Sequence, residues 1–575
     1  VTATVFHNGT VWTATPLGVT DFVLVVDGLI AATGEQARRR AADHADVDTV
    51  DLAGGFLMPS FGDGHAHPLY GGLEAVGPQI RPCRSVDEIV EAVRAFADVH
   101  PDDEWIVGAS YESRLAPGGL FDARWLDAAV ADRPVVLRAW DYHTVWCNSV
   151  ALQRAGITAD TPDPVLGEIP RRADGSPLGT LREWGAVDLV QRVVPERDPK
   201  VRIAALGTAA EYYLARGVTW VQDAWVEPAD LDTYVEAAFH GELGVRFNLA
   251  CYADPRYFDS QLEGFVDARR RVEDLASPML TAQTVKFFAD GVVENETGAL
   301  LQPYCGSLHS HHGGQERSDP GNNHGGQERS DPGNNHGGQE RSDPGNNRGM
   351  QVWDNLADAA RIVDELGLQI HIHAIGDAAV RQALDAIEHV VTRNGLRDRR
   401  PVIAHAQLIA DEDMDRFARL GVIPNMQPLW AQLDSLMTEL TVPRLGAERA
   451  DKQYRMRSLD TLGAKLAFGS DWPVSSGAPL DGIAVAASRR TSDGEPEGGW
   501  TPNEILGVER ALTAYTAGVA YQAFADGRWG VIAPGARADL VWLEGDPRSL
   551  SPRELPALPV RATFLAGRPV FSAIT

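Results

Sequence analysis

The sequence predicts an α/β fold: a (β/α)₈ TIM-like barrel that carries a small β-sandwich domain and a large insertion after the first barrel strand. Three observations predict it. Through the middle of the chain, apolar strand-like runs alternate with amphipathic helical stretches, as in a parallel sheet covered by helices. Eight such runs suit a closed barrel. Short β-rich runs occupy both chain ends with no long helix among them, which reads as one small β domain split in sequence.

Thr2–Phe6 and Phe22–Val26 open the chain, and Asp27-Gly28 supplies a hairpin turn before Leu29–Ala32. At the other end Gly530–Ile532, Ala538–Leu543 and Arg561–Leu565 read as strands, the last followed by the turn Ala566-Gly567-Arg568. Residues 1–55 and 530–575 are therefore assigned to the composite β-sandwich domain and residues 56–529 to the barrel. The barrel runs are Phe56–His67, Val218–Asp223, Val245–Tyr252, Thr284–Ala289, Leu368–His373, Val402–His405, Val422–Met426 and Lys465–Asp471. The stretch from about 68 to 216 holds strand and helix signals of its own and is read as an insertion. Three identical copies of HGGQERSDPGNN, spanning 312–347, are too polar and Gly-rich to build a core and read as a loop.

With 575 residues, the chain is long enough for one large and one smaller core. Its 52 basic and 80 acidic residues give a net charge of −28, which repels nucleic acid and anionic membrane surfaces. Cys83, Cys147, Cys251 and Cys305 are isolated and form neither a disulfide framework nor a thiolate zinc cluster. The first residues lack a signal peptide's pattern and no run of about 18 apolar residues occurs, so a cytoplasmic location is expected. The expected partner is a small-molecule substrate, with self-association into a homo-oligomer left open.

The chemistry sits at the strand ends. In an extended strand residues i and i+2 face the same side, so His65 and His67 can reach one metal ion. Such a pair alone is equally consistent with ordinary surface or core histidines. His373, His405 and Asp471 each end a different predicted strand, where barrel active sites assemble.

PSFGDGHAHP at 59–68, VKFFADG at 285–291, HAIGD at 373–377, IAHAQ at 403–407 and FGSDWPV at 468–474 together resemble the amidohydrolase superfamily. The resemblance spans nearly the whole chain, includes GVIAPGARADLVWLEGDP at 530–547 and also guides the count of eight strands. DYHTVWCNSVAL at 141–152 narrows it to the branch of N-substituted formamide deformylases and many uncharacterised metal-dependent hydrolases. It implies one or two divalent ions, Zn²⁺ foremost, with His65 and His67 on one and His373 and His405 on the other. Lys286 would bridge them. Because an ammonium cannot ligate a cation, that role requires carbamylation by CO₂. The competing reading of Lys286 is a buried ion pair with Asp290.

The same resemblance makes Asp471 the general base, has His143 hold the substrate carbonyl, and draws Trp146, Asn148 and Asp290 toward the substrate. A purely structural His143 is the alternative. Asp63 is either a partner orienting a ligand imidazole or a turn carboxylate. His371 is expected one layer deeper, as a satisfied core histidine. Trp184, Trp225, Trp430 and Trp472 suit an apolar pocket or simple packing. The implied reaction is hydrolysis of an amide-like or formamide-like C–N bond, metal lowering the pKa of water from 15.7 to roughly 7. Deamination of a nitrogen heterocycle is the alternative. In this superfamily it usually uses a glutamate three residues after the fifth-strand histidine, where this chain has Gly376, with Asp377 one residue later. A catalytically silent binding or regulatory protein on the same fold is a second alternative.

Overall fold

The computed structural model describes residues 2–305 and 346–573. Eight parallel strands form its central sheet, and each pairs with the next in chain order. They are Phe61–Ala66, Val218–Val226, Arg246–Tyr252, Leu280–Phe288, Gln369–Ala374, Val402–His405, Ile423–Met426 and Ala467–Phe468. The sheet curls into a nearly closed TIM-like barrel. Its first and last members meet just beyond the last strand, where the Asp471 N–H donates to the His65 carbonyl at 2.7 Å.

Seven of these strands are buried at every position, without alternation. Helices cover the outer face and side chains fill the inner one, which is why parallel strands read as continuous apolar runs. The covering helices start where capping chemistry allows. The Asp198 side chain accepts the Lys200 N–H ahead of Pro199–Leu214, and Glu227 with Asp230 forms a capping box on Pro228–His240.

The expected strand Phe56–His67 is two strands. Phe56–Pro59 belongs to the terminal sheet, pairing with Leu540–Leu543 and with Ala3–Trp12, and only Phe61–Ala66 enters the barrel. The break falls at Ser60, whose hydroxyl lies 2.6 Å from Thr219 Oγ1 and accepts the Trp529 indole N–H at 3.2 Å. Pro59, having no N–H, ends the pairing on one side of it. One extended segment thus threads from one sheet into the other.

The terminal sheet runs in the order Arg568–Ser572, Val560–Leu565, Leu540–Leu543, Phe56–Pro59, Ala3–Trp12, Val19–Val26, Leu29–Thr33, with Asp48–Asp51 also paired to Ala3–Trp12. Asp27 and Gly28, at φ 49° and 79°, make the left-handed pair that a two-residue hairpin needs. Gly530–Ile532 is not a strand. It crosses as a bend, with the Ile532 N–H on the Thr13 carbonyl at 2.9 Å. A buried ion pair, Arg246 Nε to Asp539 Oδ2 at 3.0 Å, fastens this sheet to the third barrel strand.

Between the first two barrel strands the chain builds a separate four-stranded sheet, ordered Thr180–Arg182, Thr144–Cys147, Val135–Ala139, Ile106–Tyr111. Its own core includes Tyr111, Phe121 and Trp146. The three repeats lie outside the described residues apart from Asn346 and Asn347. Among the described residues no helix is long and apolar enough to cross a membrane.

Candidate metal centre

Two backbone hydrogen bonds zip the end of the first barrel strand to the loop after the eighth: Asp471 N–H to His65 O, and His67 N–H to Trp472 O, both 2.7 Å. Asp471 Oδ1 consequently lies 2.9 Å from His67 Nε2 and 3.5 Å from His65 Nε2. All three side chains are buried, and their ligand atoms fall within 4.8 Å of one another. His405 completes a histidine wall, its ring centroid 4.7 Å from that of His65 and 4.6 Å from that of His373. Asp471 and His405 hold left-handed φ values of 57° and 70°. Non-glycine residues rarely adopt this conformation, and here it turns both side chains at their strand ends.

Outer hydrogen bonds determine which nitrogen of each ring is free. His405 Nδ1–H donates to Gln427 Oε1 at 2.7 Å and His373 Nε2–H to the Gly291 carbonyl at 3.1 Å, leaving His405 Nε2 and His373 Nδ1 as lone-pair donors. His65 Nδ1 lies 2.8 Å from His371 Nε2, so a proton on that Nδ1 leaves His65 Nε2 free beside Asp471. The orienting contact contemplated for Asp63 is thus made by His371. Asp63 instead accepts the backbone N–H groups of His65 and Ser470, at 3.3 and 2.9 Å, and burial raises its carboxyl to about 7. His371 is buried in the expected layer, although its Nδ1 has no partner.

The electrostatics favour neutral, lone-pair-bearing ligands. Burial, reinforced by neighbouring positive groups, holds His65, His371 and His373 well below the ordinary imidazole value. Burial brings His405 to about 4, with Asp471 opposing. Lys286 has no exposed surface, and burial lowers its amine to about 7 against the opposing charges of Asp471 and Asp223. Burial pushes Asp471 upward, but the adjacent His67, His405 and Lys286 outweigh it and keep the carboxylate ionised.

Lys286 Nζ, Asp471 Oδ1 and His67 Nδ1 are buried without a hydrogen bond. Orphaned polar atoms are costly in a protein interior. Imidazole nitrogens and a carboxylate converging on one point fit the donor set of a divalent cation. No ion pair joins Lys286 to Asp290.

A cavity of about 200 Å³ opens above this centre, with His65, His67, His373, His405 and Asp471 in its floor. His143, at the edge of the inserted sheet, also lines it. Its Nδ1 lies 2.9 Å from Glu183 Oε2, and Glu183 Oε1 accepts the Thr297 hydroxyl at 2.6 Å. Burial lowers the His143 pKa, but Glu183 more than offsets this and leaves the value above ordinary. With Nδ1 turned to Glu183, the Nε2 side of His143 remains for a ligand.

Glu183 was absent from the sequence-based candidates. It lies 40 residues from its partner, and only the pairing of Thr180–Arg182 with Thr144–Cys147 brings the two together. Three other candidates are placed away from the cavity. Trp146 is fully buried in the insertion core, its indole N–H on the Asp122 carbonyl at 3.0 Å. Asn148 caps the helix Ser149–Arg154 and binds the Val130 and Arg133 carbonyls. The Asp290 carboxylate accepts the N–H groups of Ala299, Ile375 and Gly376 at 2.8–3.0 Å, an anchor rather than a substrate contact. Of the tryptophans, Trp225 and Trp430 line the cavity, Trp184 backs His143 and Trp472 stacks on Tyr212.

Comparison with known proteins adds four findings. A family model described as the amidohydrolase family matches residues 48–571. An N-substituted formamide deformylase of Arthrobacter pascens is 26% identical over 95% of this chain and 94% of its own. Protein LONG AFTER FAR-RED 3 of Arabidopsis thaliana is 30% identical over 98% of this chain and 91% of its own. Among solved structures, an uncharacterized metal-dependent hydrolase from Pyrococcus horikoshii OT3 shares the fold with a TM-score of 0.71 at 22% identity, covering 96% of this chain and 99% of that one.

Proposed function

The chain belongs to the amidohydrolase family, and on that premise we propose that it hydrolyses the C–N bond of a small amide or N-substituted formamide, outside peptides, with zinc as the preferred ion. The convergence of the buried ligand atoms of His65, His67 and Asp471 on one point carries this reading. His65 and His67 would hold one ion and His373 and His405 a second. Lys286, carbamylated through attack of its neutral amine on CO₂ with loss of a proton, would bridge them. Burial of this lysine supplies the neutral amine that carbamylation requires. When bound, the metal supplies Lewis acidity, lowering the pKa of water and polarising a carbonyl.

The remaining steps fall to side chains of this protein. Asp471 accepts the proton of the attacking water as its oxygen bonds to the carbonyl carbon. When the C–N bond breaks, Asp471 returns that proton to the departing nitrogen, so the products are a carboxylic acid and an amine. His143 Nε2–H donates to the carbonyl oxygen as negative charge grows there, and Glu183 holds the ring and its charge in place.

Deamination is disfavoured at a particular point. A Cβ added at Gly376 would lie 1.9 Å from the Ala299 carbonyl oxygen, so no acidic side chain can stand at the position that deaminases use. The test is a panel of N-substituted formamides, N-acyl amino acids, cyclic ureides and aminated heterocycles, assayed with metal-reconstituted protein. Amine and acid released in equal amounts from a formamide or amide support the reading. Ammonia from heterocycles alone, or no product from any member, overturns it.

A further inference from the structure

The cavity walls above the metal centre have an uneven charge pattern. Among the described residues that line it, no lysine or arginine occurs, while Asp141, Glu294 and Asp434 add three carboxylates to Asp471. Asp141 is engaged by the His143 backbone N–H at 2.9 Å. The charge of His143 also acts on Asp141, whereas no histidine is among the main groups acting on Asp434. Asp434 Oδ1 accepts the Met437 N–H at 2.9 Å, and Glu294 Oε1 accepts the Thr441 hydroxyl, which leaves one oxygen of each without a side-chain cation.

The cation that acts on Asp434 is Arg114, whose guanidinium is held by Glu112, and the cation coupled to Glu294 is Arg444, which pairs more closely with Glu296 at 3.6 Å. Burial raises the Asp434 pKa, as expected for a carboxylate short of compensating charge. Neither acid belongs to the group His65, His67 and Asp471 whose ligand atoms converge. The lining also includes the aromatic side chains Trp140, Tyr142, Trp225, Phe288 and Trp430. Aromatic faces favour cations over anions, and carboxylates lining a cavity select a charge by its sign.

We propose that Asp434 and Glu294 are specificity-determining residues that select amides with an apolar or aromatic body and a cationic group, and reject those bearing a carboxylate. The inference rests on the hydrolase reading above and narrows its substrate class: N-acyl amino acids fall outside it, protonated amines inside. The net charge of the whole chain would act in the same direction at long range, but that field is screened within about 3 Å at 1 M salt whereas a desolvated cavity contact is not.

Three N-formyl derivatives of 2-phenylethylamine test it: the parent, a para-aminomethyl derivative and a para-carboxymethyl derivative. All present the same acyl end to the metal. With metal-loaded full-length protein in about 0.5 M salt, where exposed charges are largely screened, kcat/KM should fall from the cationic through the neutral to the anionic member, roughly a hundredfold between the extremes. In the Asp434→Asn/Glu294→Gln protein, which preserves side-chain shape, that ratio should contract at least about tenfold. Calorimetric dissociation constants for the same compounds read the selection whether or not they are hydrolysed. Absence of formate release would defeat the hydrolase reading while the order of affinities still decides this one. An anionic member bound as tightly as the cationic one, no binding of the cationic one, or a ratio unchanged in the double variant would each overturn it.

Discussion

Asp471 carries the largest chemical demand on a single side chain. Its carboxylate is kept ionised against burial by His67, His405 and Lys286, as a proton acceptor must be. Asp471→Asn keeps the shape and an oxygen but cannot take up and return a proton. We expect kcat to fall by about 10²–10⁴-fold with most of the metal retained, and a drop under about tenfold would assign the proton transfer elsewhere. Glu183 acts one step removed, through His143. Because Glu183 holds the His143 pKa above ordinary, the charged donor persists to higher pH. Glu183→Gln removes that charge, so the His143 pKa falls and the alkaline limb of the kcat profile moves to lower pH. An alkaline limb that stays in place would mean that His143 does not supply the charge.

Strand ends and the loops that follow them are the elements that hold the centre in register. Asp290 fastens the end of Leu280–Phe288 to the exit of Gln369–Ala374 through the Ile375 and Gly376 N–H groups and also accepts the Ala299 N–H, and His373 lies just before that exit. Asp290→Ala leaves those buried donors without an acceptor, at about 1–3 kcal/mol each. Chemical denaturation should show a loss of about 3 kcal/mol or more, together with weaker metal binding. A loss below about 1 kcal/mol would show that water replaces the carboxylate.

This anchor also shows where the sequence could and could not be read. The strand-end positions of His65, His373, His405 and Asp471 follow from apolar runs and the rule that barrel sites form at strand C-termini. Trp146 was misread because it is near His143 in sequence. Three residues along a strand reverses the face, and Trp146 points into the insertion core. Asn148 did carry a readable signal, a good N-cap residue ahead of Ser149–Arg154. The partnership of Glu183 with His143 had none, since it depends on strand pairing within the insertion. Nor did the apolar run Phe56–His67 reveal its division at Ser60, since both halves are buried to the same degree.

At the scale of the molecule, both chain ends build one sheet, and that sheet is tied to the barrel by the buried Arg246–Asp539 pair. Asp539 also accepts the Ala566 N–H at 2.7 Å, so one carboxylate serves the terminal hairpin and the barrel together. Asp539→Ala would leave the Arg246 guanidinium buried and uncompensated, with an expected loss of about 3–5 kcal/mol. Denaturant unfolding followed by tryptophan fluorescence reads this, and a variant as stable as the parent would show that the two parts are held by apolar packing alone. The central claim is that the barrel presents a metal centre built on the first strand's histidine pair and closed by the loop after the eighth. Elemental analysis of the purified protein and of its His65→Ala/His67→Ala variant tests this most directly. The account predicts one or two divalent ions per chain in the parent and their loss in the double variant, whereas a parent without stoichiometric metal, or a double variant that keeps its full content, would contradict it.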